Sequence, residues 1–538
     1  MMRKTLWLGF WAVLLLTNFV VCSYHAAVFP PPEINAVEIA GAEAQTAEWI
    51  DKKAYGMHQL VVSGTPYQRG FESGRLERDL LLREENELVG KLRGFFQNRF
   101  VLKGFTLLLM NWFQGIEKYF EPWMVNELYG VSKSAPHKFD DLADGLTRQV
   151  AYHGLHEVGQ MMVDQKGEDV GCTVVATPYK GNWILGRNFD FEGGRIFDEE
   201  KIMKWVFPDE GNAFVSITWA GMVGVVTGVN SRGLYISLNA AGSRDFRRFG
   251  TPSTLVLLKA LQFAHSLDEA VRIIQQETMF ITDIFVLLDA ETGRLVRIEK
   301  SPRASVVLEL KSPAVVTNHL VSERWKDDSI NLFRRDELTS AYREARGRQL
   351  IAALDQEKIE NPIELENRIA GILRDKGGDP ALNLGNRRSI DALIATHSIV
   401  YNAKDSVLFV SQGPSLAGAF TGFDLKHSFQ SHKPILVERR IERDPAVSDL
   451  AYVSIHQAEK QISLAETFSR KKDCAAAARI LDSIEGPYRE RSEYVTAKGN
   501  DEFCFGRTTT AKSFWTKALE LKPAYAKEIA NLKRKLAQ

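Results

Sequence analysis

The chain has 538 residues, 45% hydrophobic and 25% charged, with 68 basic and 68 acidic side chains. That length exceeds one ordinary core and predicts two to four folding units. The composition excludes a disordered or collagen-like chain. The zero net charge supplies no field for a polyanion, so nucleic acid is not an expected partner.

Arg3 and Lys4 precede an apolar run from Leu6 to Cys22, broken only by Thr17 and Asn18. At 1.5 Å per residue this run reaches roughly 25 Å, slightly short of a bilayer core of ~30 Å. Residues 1–29 therefore read as a signal peptide or an uncleaved membrane anchor, with the body exported to a periplasmic or extracellular space. Pro30, Pro31 and Pro32 open a stiff linker over 30–56.

A strand is expected at 57–63, ended by Gly64, Thr65 and Pro66. From Tyr67 to about Val163 the apolar spacing turns helical, with Leu80, Leu81, Leu88 and Leu92 on one face. The segment 105–113 is strongly apolar but too short to span a membrane. These elements make up an N-terminal unit, 57–171.

At Gly171 the texture changes. Short strands are expected at 173–177, 182–186, 213–219, 223–229 and 234–238, then a helix near 253–264. Ser266 and Glu269 form a capping box that opens another helix. Strands at 283–289 and 294–299 flank a hairpin turn, and further strands follow at 306–310, 314–317, 399–402 and 407–411. This second unit spans 172–440 and predicts an α+β fold with helices layered on largely antiparallel sheets. The tail, 441–538, is helical again. Its Ala511–Pro523 stretch suits either half of a tetratricopeptide-type repeat or a plain helical cap.

The four cysteines, Cys22, Cys172, Cys474 and Cys504, form no CxxC pair, and no metal or other cofactor is expected. Cys474 and Cys504 could pair in an oxidising compartment. His153, His156 and Glu157 lack the second histidine of a zinc helix. Cys172 stands alone, at the head of a strand, and a thiol needs a base or a cation to become a nucleophile. Cleavage of the Gly171–Cys172 bond would give Cys172 a free α-amine, with an ordinary pKa near 8, beside its own thiol. Arg187 and Asp190 would return on the neighbouring strand, Arg187 to hold the thiolate and Asp190 to orient the amine. His397 offers an alternative base in a papain-like dyad.

Several motifs, in order, resemble the family of acyl-coenzyme A:6-aminopenicillanic-acid acyltransferase, and more distantly bile salt hydrolase, penicillin V acylase and acid ceramidase. They are Gly64-Thr65-Pro66-Tyr67-Gln68-Arg69-Gly70, Gly171-Cys172-Thr173, Gly186-Arg187-Asn188-Phe189-Asp190, Asn230 to Gly233 leading to Asn239, Thr317-Asn318-His319, and Thr396-His397-Ser398 through Gly413-Pro414. The resemblance implies an αββα N-terminal-nucleophile hydrolase sandwich, here with an N-terminal leader or anchor and a C-terminal helical extension. It implies self-cleavage into two associated chains and an acyl-cysteine intermediate on Cys172. Acyl groups would be cleaved from, or transferred at, linear amides, with a small N-acyl amide as substrate. Asn239 and Asn318 would hold the oxyanion. A further arginine is implied, for which Arg343 is the candidate among Arg334, Arg335 and Arg346. A second reading is a membrane-tethered scaffold in which the hydrolase fold is degenerate and 441–538 binds a protein partner.

Overall fold

The computed structural model describes residues 30–43, 47–95, 98–113, 115–157, 159–160, 171–191, 193–311, 313–354, 359, 361–378 and 384–538. The expected leader, 1–29, lies outside the described residues. Among the described residues no helix is long and apolar enough to cross a membrane.

Two sheets form the body. The larger runs in the order β1 (Glu48–Ile50), β2 (His58–Gly64), β5 (Ile202–Pro208), β6 (Phe214–Thr218), β7 (Thr227–Asn230), β8 (Leu234–Ala240), β9 (Asp283–Asp289), β10 (Arg294–Lys300), β11 (Ser305–Glu309). The smaller runs β12 (Ala314–Val316), β3 (Cys172–Tyr179), β4 (Asn182–Asp190), β13 (Ala395–Asn402), β14 (Val407–Ser411), β15 (Phe420–Asp424). Every pairing is antiparallel except β2 with β5, which run parallel in register from His58↔Ile202 to Gly64↔Pro208.

The period-two geometry of strands sorts their side chains into layers. Val174 and Ala176 of β3 join Val61, Trp205 and Val286 of the larger sheet in a core between the sheets. Val175, between them in sequence, turns the other way. It meets Ile369 and Leu373 of the helix Pro362–Leu373. On the far side, Leu60 and Val62 meet helices that supply Leu81, Leu128, Leu255 and Leu258. Helices therefore cover both outer faces, which is the αββα order.

The N-terminal helices are locked by close approach. Thr65 and Gln68 form a capping box on the helix Pro66–Leu76. Arg69, fully buried, donates to Gly64 O at 2.8 Å and to Glu127 at 2.6 Å. A β-carbon at Gly70 would fall 1.9 Å from Glu127 O, so only glycine lets this helix cross Pro122–Ser134.

Two differences from the sequence reading have physical causes. The strand Ile202–Pro208 was not expected: Ile202 and Val206 face the outer core while Met203, Trp205 and Phe207 face the inner one, so no polar alternation marks it. The strand expected at 223–229 is confined to Thr227–Asn230. Before it, Val223 N and Gly224 N donate to His153 Nε2, at 3.0 and 3.2 Å, instead of to a neighbouring strand.

The tail is built of helices Asp449–Arg470, Cys474–Asp482, Ser492–Cys504, Thr508–Glu520 and Ala526–Ala537 around their own apolar core. A disulfide joins Cys474 to Cys504. Arg491 donates to Leu384 O and Gly385 O, and His456 to Leu393 O, which seats the tail on the body.

Candidate active site

Cys172 begins β3, fully buried, and faces Phe189 across the β3–β4 hairpin. The hairpin returns Arg187 to the thiol. Its Nη2 lies 4.0 Å from Cys172 Sγ, and the same guanidinium donates to Thr227 Oγ1 and Leu238 O of the larger sheet and stacks on the Phe189 ring. Arg187 is fully buried, yet among the described residues no carboxylate pairs with it. An uncompensated buried cation costs several kcal/mol, and a thiolate formed at Cys172 would be its counterion. In the intact chain burial pushes the Cys172 thiol up, with Arg187 opposing that rise and Asp190 adding to it.

The 171–172 peptide is held on both sides. Gly171 O accepts from Asp190 N at 2.9 Å, and Cys172 N donates to Asn318 Oδ1 at 2.8 Å. Arg343 donates through Nη2 to that same Asn318 oxygen at 2.7 Å, and through Nη1 to Cys172 O at 2.8 Å and Thr173 Oγ1 at 2.9 Å. Two donors on one amide oxygen fix the orientation of the Asn318 side chain, whose Nδ2 donates to Ala240 O at 2.8 Å. Gly171 fits closely here: a β-carbon would fall 2.7 Å from an Asp190 carboxylate oxygen and force that side chain to shift.

Asn239, on β8, donates to Thr317 O at 3.1 Å and Val316 O at 3.3 Å. The structure thus gathers Gly171, Cys172, Arg187, Asp190, Asn318 and Arg343 around one peptide bond, with Asn239 on the adjoining β8–β12 contact. The other arginines lie elsewhere. Arg334 reaches Gln160 O, Arg335 pairs with Asp336, and Arg346 pairs with Asp375 at 2.7 Å.

His397 meets Thr227 Oγ1 at 2.8 Å and Arg187 Nη1 at 3.4 Å, and among the described residues no hydrogen bond joins it to Cys172. Burial, with Arg187 and Lys201 nearby, holds its pKa well below the ordinary range. Neither feature suits the base of a thiol–imidazole pair. His153, His156 and Glu157 also have structural partners: the 223–224 backbone, Asp283 and Ser253 N. The structure adds Thr227 and Ser340 to the residues of this site. Ser340 Oγ receives Asn318 N at 2.8 Å and so holds that loop. A lone Ser or Thr carries no periodic signal by which it could be found.

A cavity of about 170 Å³ opens beside Phe189. Phe191, Phe197 and Trp219 line one side, and Leu81, Leu88 and Leu155 of the N-terminal unit line the other.

Two stacked sheets covered by helices make an αββα fold in which a buried cysteine heads an interior strand of the smaller sheet. Residues 177–380 match the family of acyl-coenzyme A:6-aminopenicillanic acid acyl-transferase. That stretch begins just after Cys172 and includes Arg187, Asp190, Asn239, Asn318 and Arg343. An uncharacterized protein of Archaeoglobus fulgidus is 23% identical over 252 residues, 44% of this chain, and the chain spans only 42% of that relative's length. Among solved structures, the N-acylethanolamine-hydrolyzing acid amidase ortholog of Caenorhabditis elegans is 18% identical with a TM-score of 0.31, covering 44% of this chain and 94% of that one. A conjugated bile acid hydrolase from Clostridium perfringens is 13% identical with a TM-score of 0.33, covering 50% and 98%.

Proposed function

We propose that this protein is an amidohydrolase or acyltransferase that cuts its own chain before Cys172 and then carries acyl groups on that cysteine. The observation that carries the reading is the double anchoring of the 171–172 peptide, with its carbonyl oxygen on Asp190 N and its nitrogen on Asn318.

In the intact chain, Cys172 Sγ attacks the Gly171 carbonyl carbon. The oxygen gathers negative charge against Asp190 N–H, and the C–N bond breaks as the nitrogen takes a proton. The product is a thioester with a free α-amine, and water hydrolyses it to a Gly171 carboxylate and the Cys172 thiol. Arg187 stabilises the sulfur while it is anionic.

In the cleaved enzyme the α-amine takes the thiol proton, and Asn318 Oδ1, itself held by Arg343, orients the amine. The thiolate adds to the carbonyl of an N-acyl amide. Asp190 N–H, released from Gly171 O, receives the oxyanion, and Asn239 Nδ2 joins it on giving up Val316 O and Thr317 O. One such donor is worth about 3 kcal/mol of barrier. The α-amine then gives its proton to the leaving nitrogen, and water or a second amine takes the acyl group from sulfur. The cavity beside Phe189 holds an apolar acyl chain. Asn318 acts on the amine rather than on the oxyanion, because its oxygen, not its NH₂, faces Cys172 N. The Cys474–Cys504 disulfide supports export to an oxidising compartment.

The test is intact-mass analysis of wild type, Cys172→Ala and Gly171→Ala. Wild type is expected to yield a fragment of roughly 41 kDa beginning at Cys172. Cys172→Ala is expected to stay whole, and Gly171→Ala to cleave far more slowly. Cleavage of Cys172→Ala at the same bond, or a wild type that stays whole, would end this reading.

A further inference from the structure

On the helix Arg78–Phe95, Leu81 and Leu88 lie two turns apart on one face, and Glu84 and Glu85 fall between them. Two carboxyls therefore stand in the middle of an apolar stripe. Glu84 is 3% exposed and Glu85 1%, and both line the cavity beside Phe189. Gln149, from the helix Gly145–His153, and Thr254, from the helix Ser253–Phe263, also line it and are equally buried. Phe189 faces Cys172 across the β3–β4 hairpin, and Cys172 packs in the same apolar core as Leu81, Trp219 and Val226. The cavity thus lies one residue away from the thiol, with aromatic rings supplied by the body and polar groups supplied by helices.

Some of those polar groups are fully engaged. Glu85 Oε1 accepts from Arg148 at 3.2 Å and from Tyr152 at 2.9 Å. His153 holds the 223–224 backbone, and His156 is turned to Gln160 at 2.7 Å and Asp283 at 3.7 Å. Others are not. Glu84 Oε1, Glu85 Oε2 and Thr254 Oγ1 are buried without a hydrogen bond, and among the described residues the Gln149 carboxamide has none either. The Ala220 N–H faces the Glu84 carboxyl, and Arg83, whose charge acts on it, pairs with Glu200 at 2.9 Å. Among the described residues no lysine or arginine lines the cavity. Burial, with Glu77 nearby, pushes the Glu84 carboxyl well above the usual range and favours the neutral acid. A neutral acid both donates and accepts, and so does a carboxamide. An all-hydrocarbon chain would fill the cavity and leave these groups unmet, which costs more than a typical hydrogen bond returns.

We propose that this cavity reads a hydroxyl group on the acyl chain, and that Glu84 and Gln149 are the residues that recognise it. This inference rests on the acyl-cysteine reading of Cys172. The hydrocarbon part packs against Phe197 and Trp219, and the hydroxyl exchanges hydrogen bonds with Glu84 and Gln149. An anionic chain would meet two carboxyls and no base, and a cationic one would have to draw the proton off Glu84. Both recognition residues precede the cut bond and lie outside the stretch 177–380 that matches the acyltransferase family, so the N-terminal fragment sets the acyl preference.

The p-nitroanilides of octanoic acid and of its hydroxy derivatives, with the hydroxyl moved along the chain, test this on the purified full-length protein. The ω-amino derivative is the charged control. Wild type is expected to favour the best hydroxy chain over octanoyl by about tenfold in kcat/KM, through KM. The preference is expected to vanish in Glu84→Leu and in Gln149→Met, and to recover in Glu84→Gln, which still donates and accepts. The Gln149 side chain makes no hydrogen bond to the 219–224 loop, so Gln149→Met carries the test if Glu84→Leu does not fold. No preference at any position, a larger preference for the amino chain, or a preference kept in Gln149→Met overturns the proposal. Calorimetry with octanamide and the matching hydroxyoctanamide separates this inference from the reading beneath it. Tighter binding of the hydroxyoctanamide by wild type, lost in Gln149→Met, without turnover of any anilide, keeps the subsite and removes the amidase. Equal binding of the two amides, or none, removes the subsite.

Discussion

Glu77 and His153 lie outside the strands that carry Cys172 and Arg187, yet both end on backbone N–H groups of the loop beside the Phe189 cavity. Glu77 accepts from Gly221 N at 2.7 Å, and His153 Nε2 from Val223 N and Gly224 N. Because Nε2 is an acceptor and Nδ1 donates to Gln149 O at 2.7 Å, the ring is neutral, and burial pushes its pKa down to about 4. Burial acts oppositely on Glu77, raising its carboxyl from 4.5 to about 7, with Lys204 and the Gly221 N–H opposing the rise. The folded state therefore holds the Glu77 proton more tightly than the unfolded chain does. That contribution is complete below pH 4.5 and is lost as pH rises through 7. His153 binds its proton less tightly when folded, so its effect runs the other way below pH 6.5, but it is common to wild type and Glu77→Gln. We expect Glu77→Gln to melt higher than wild type at pH 8 relative to its position at pH 5. The upper limit is about 3 kcal/mol, reached above pH 7. The same melting difference at both pH values would show that Glu77 does not titrate in this window.

Among the elements, the tail carries a measurable reinforcement. The Cys474–Cys504 disulfide spans a sequence separation of 30 and ties the helix Cys474–Asp482 to Ser492–Cys504. Closing a loop of that length stabilises by about 3–4 kcal/mol in the chain-entropy view. A Cys474→Ser, Cys504→Ser double variant should open the tail to proteolysis at a lower denaturant concentration, while the sheets keep their own midpoint. One shared, unshifted transition would mean that the bridge stabilises nothing measurable. The possibility of this pair was legible, because two cysteines remained once Cys22 and Cys172 were set apart. The hairpins were legible too, since glycine, asparagine or aspartate separates their apolar runs. Ile202–Pro208 was not, because it follows the short helix Ile196–Glu199 instead of a turn of that kind. The arginine of the site was beyond spacing alone. Four arginines crowd 334–346, and what distinguishes Arg343 is the helix Ser340–Ala352, which points its buried guanidinium at Cys172 O.

At the scale of the whole molecule, the bond before Cys172 divides the sequence but not the fold. β1 and β2 precede the bond, yet β2 is an interior strand of the larger sheet, paired over seven residues with β5 beyond it. Further ties cross the same boundary. His58, Lys52 and Arg83 converge on Glu200, which they hold at a pKa of about 2. Gln160 donates to Asp283 at 2.6 Å, Glu157 receives Ser253 N at 2.7 Å, and Leu81 and Leu128 lie in the core under β8 and β9. Separating the chains would expose this core and strip β5 of its partner, a cost on the scale of unfolding rather than of surface dissociation. Fully cleaved protein should therefore elute from a native sizing column as one species containing both fragments, at the volume of the uncleaved Cys172→Ala protein. The fragments should part only in denaturant, at the midpoint where the sheet signal is lost. Release of the N-terminal fragment in plain buffer would mean that its strands leave the sheet after cleavage, and with them Leu81 and Leu88, which form one wall of the cavity beside Phe189.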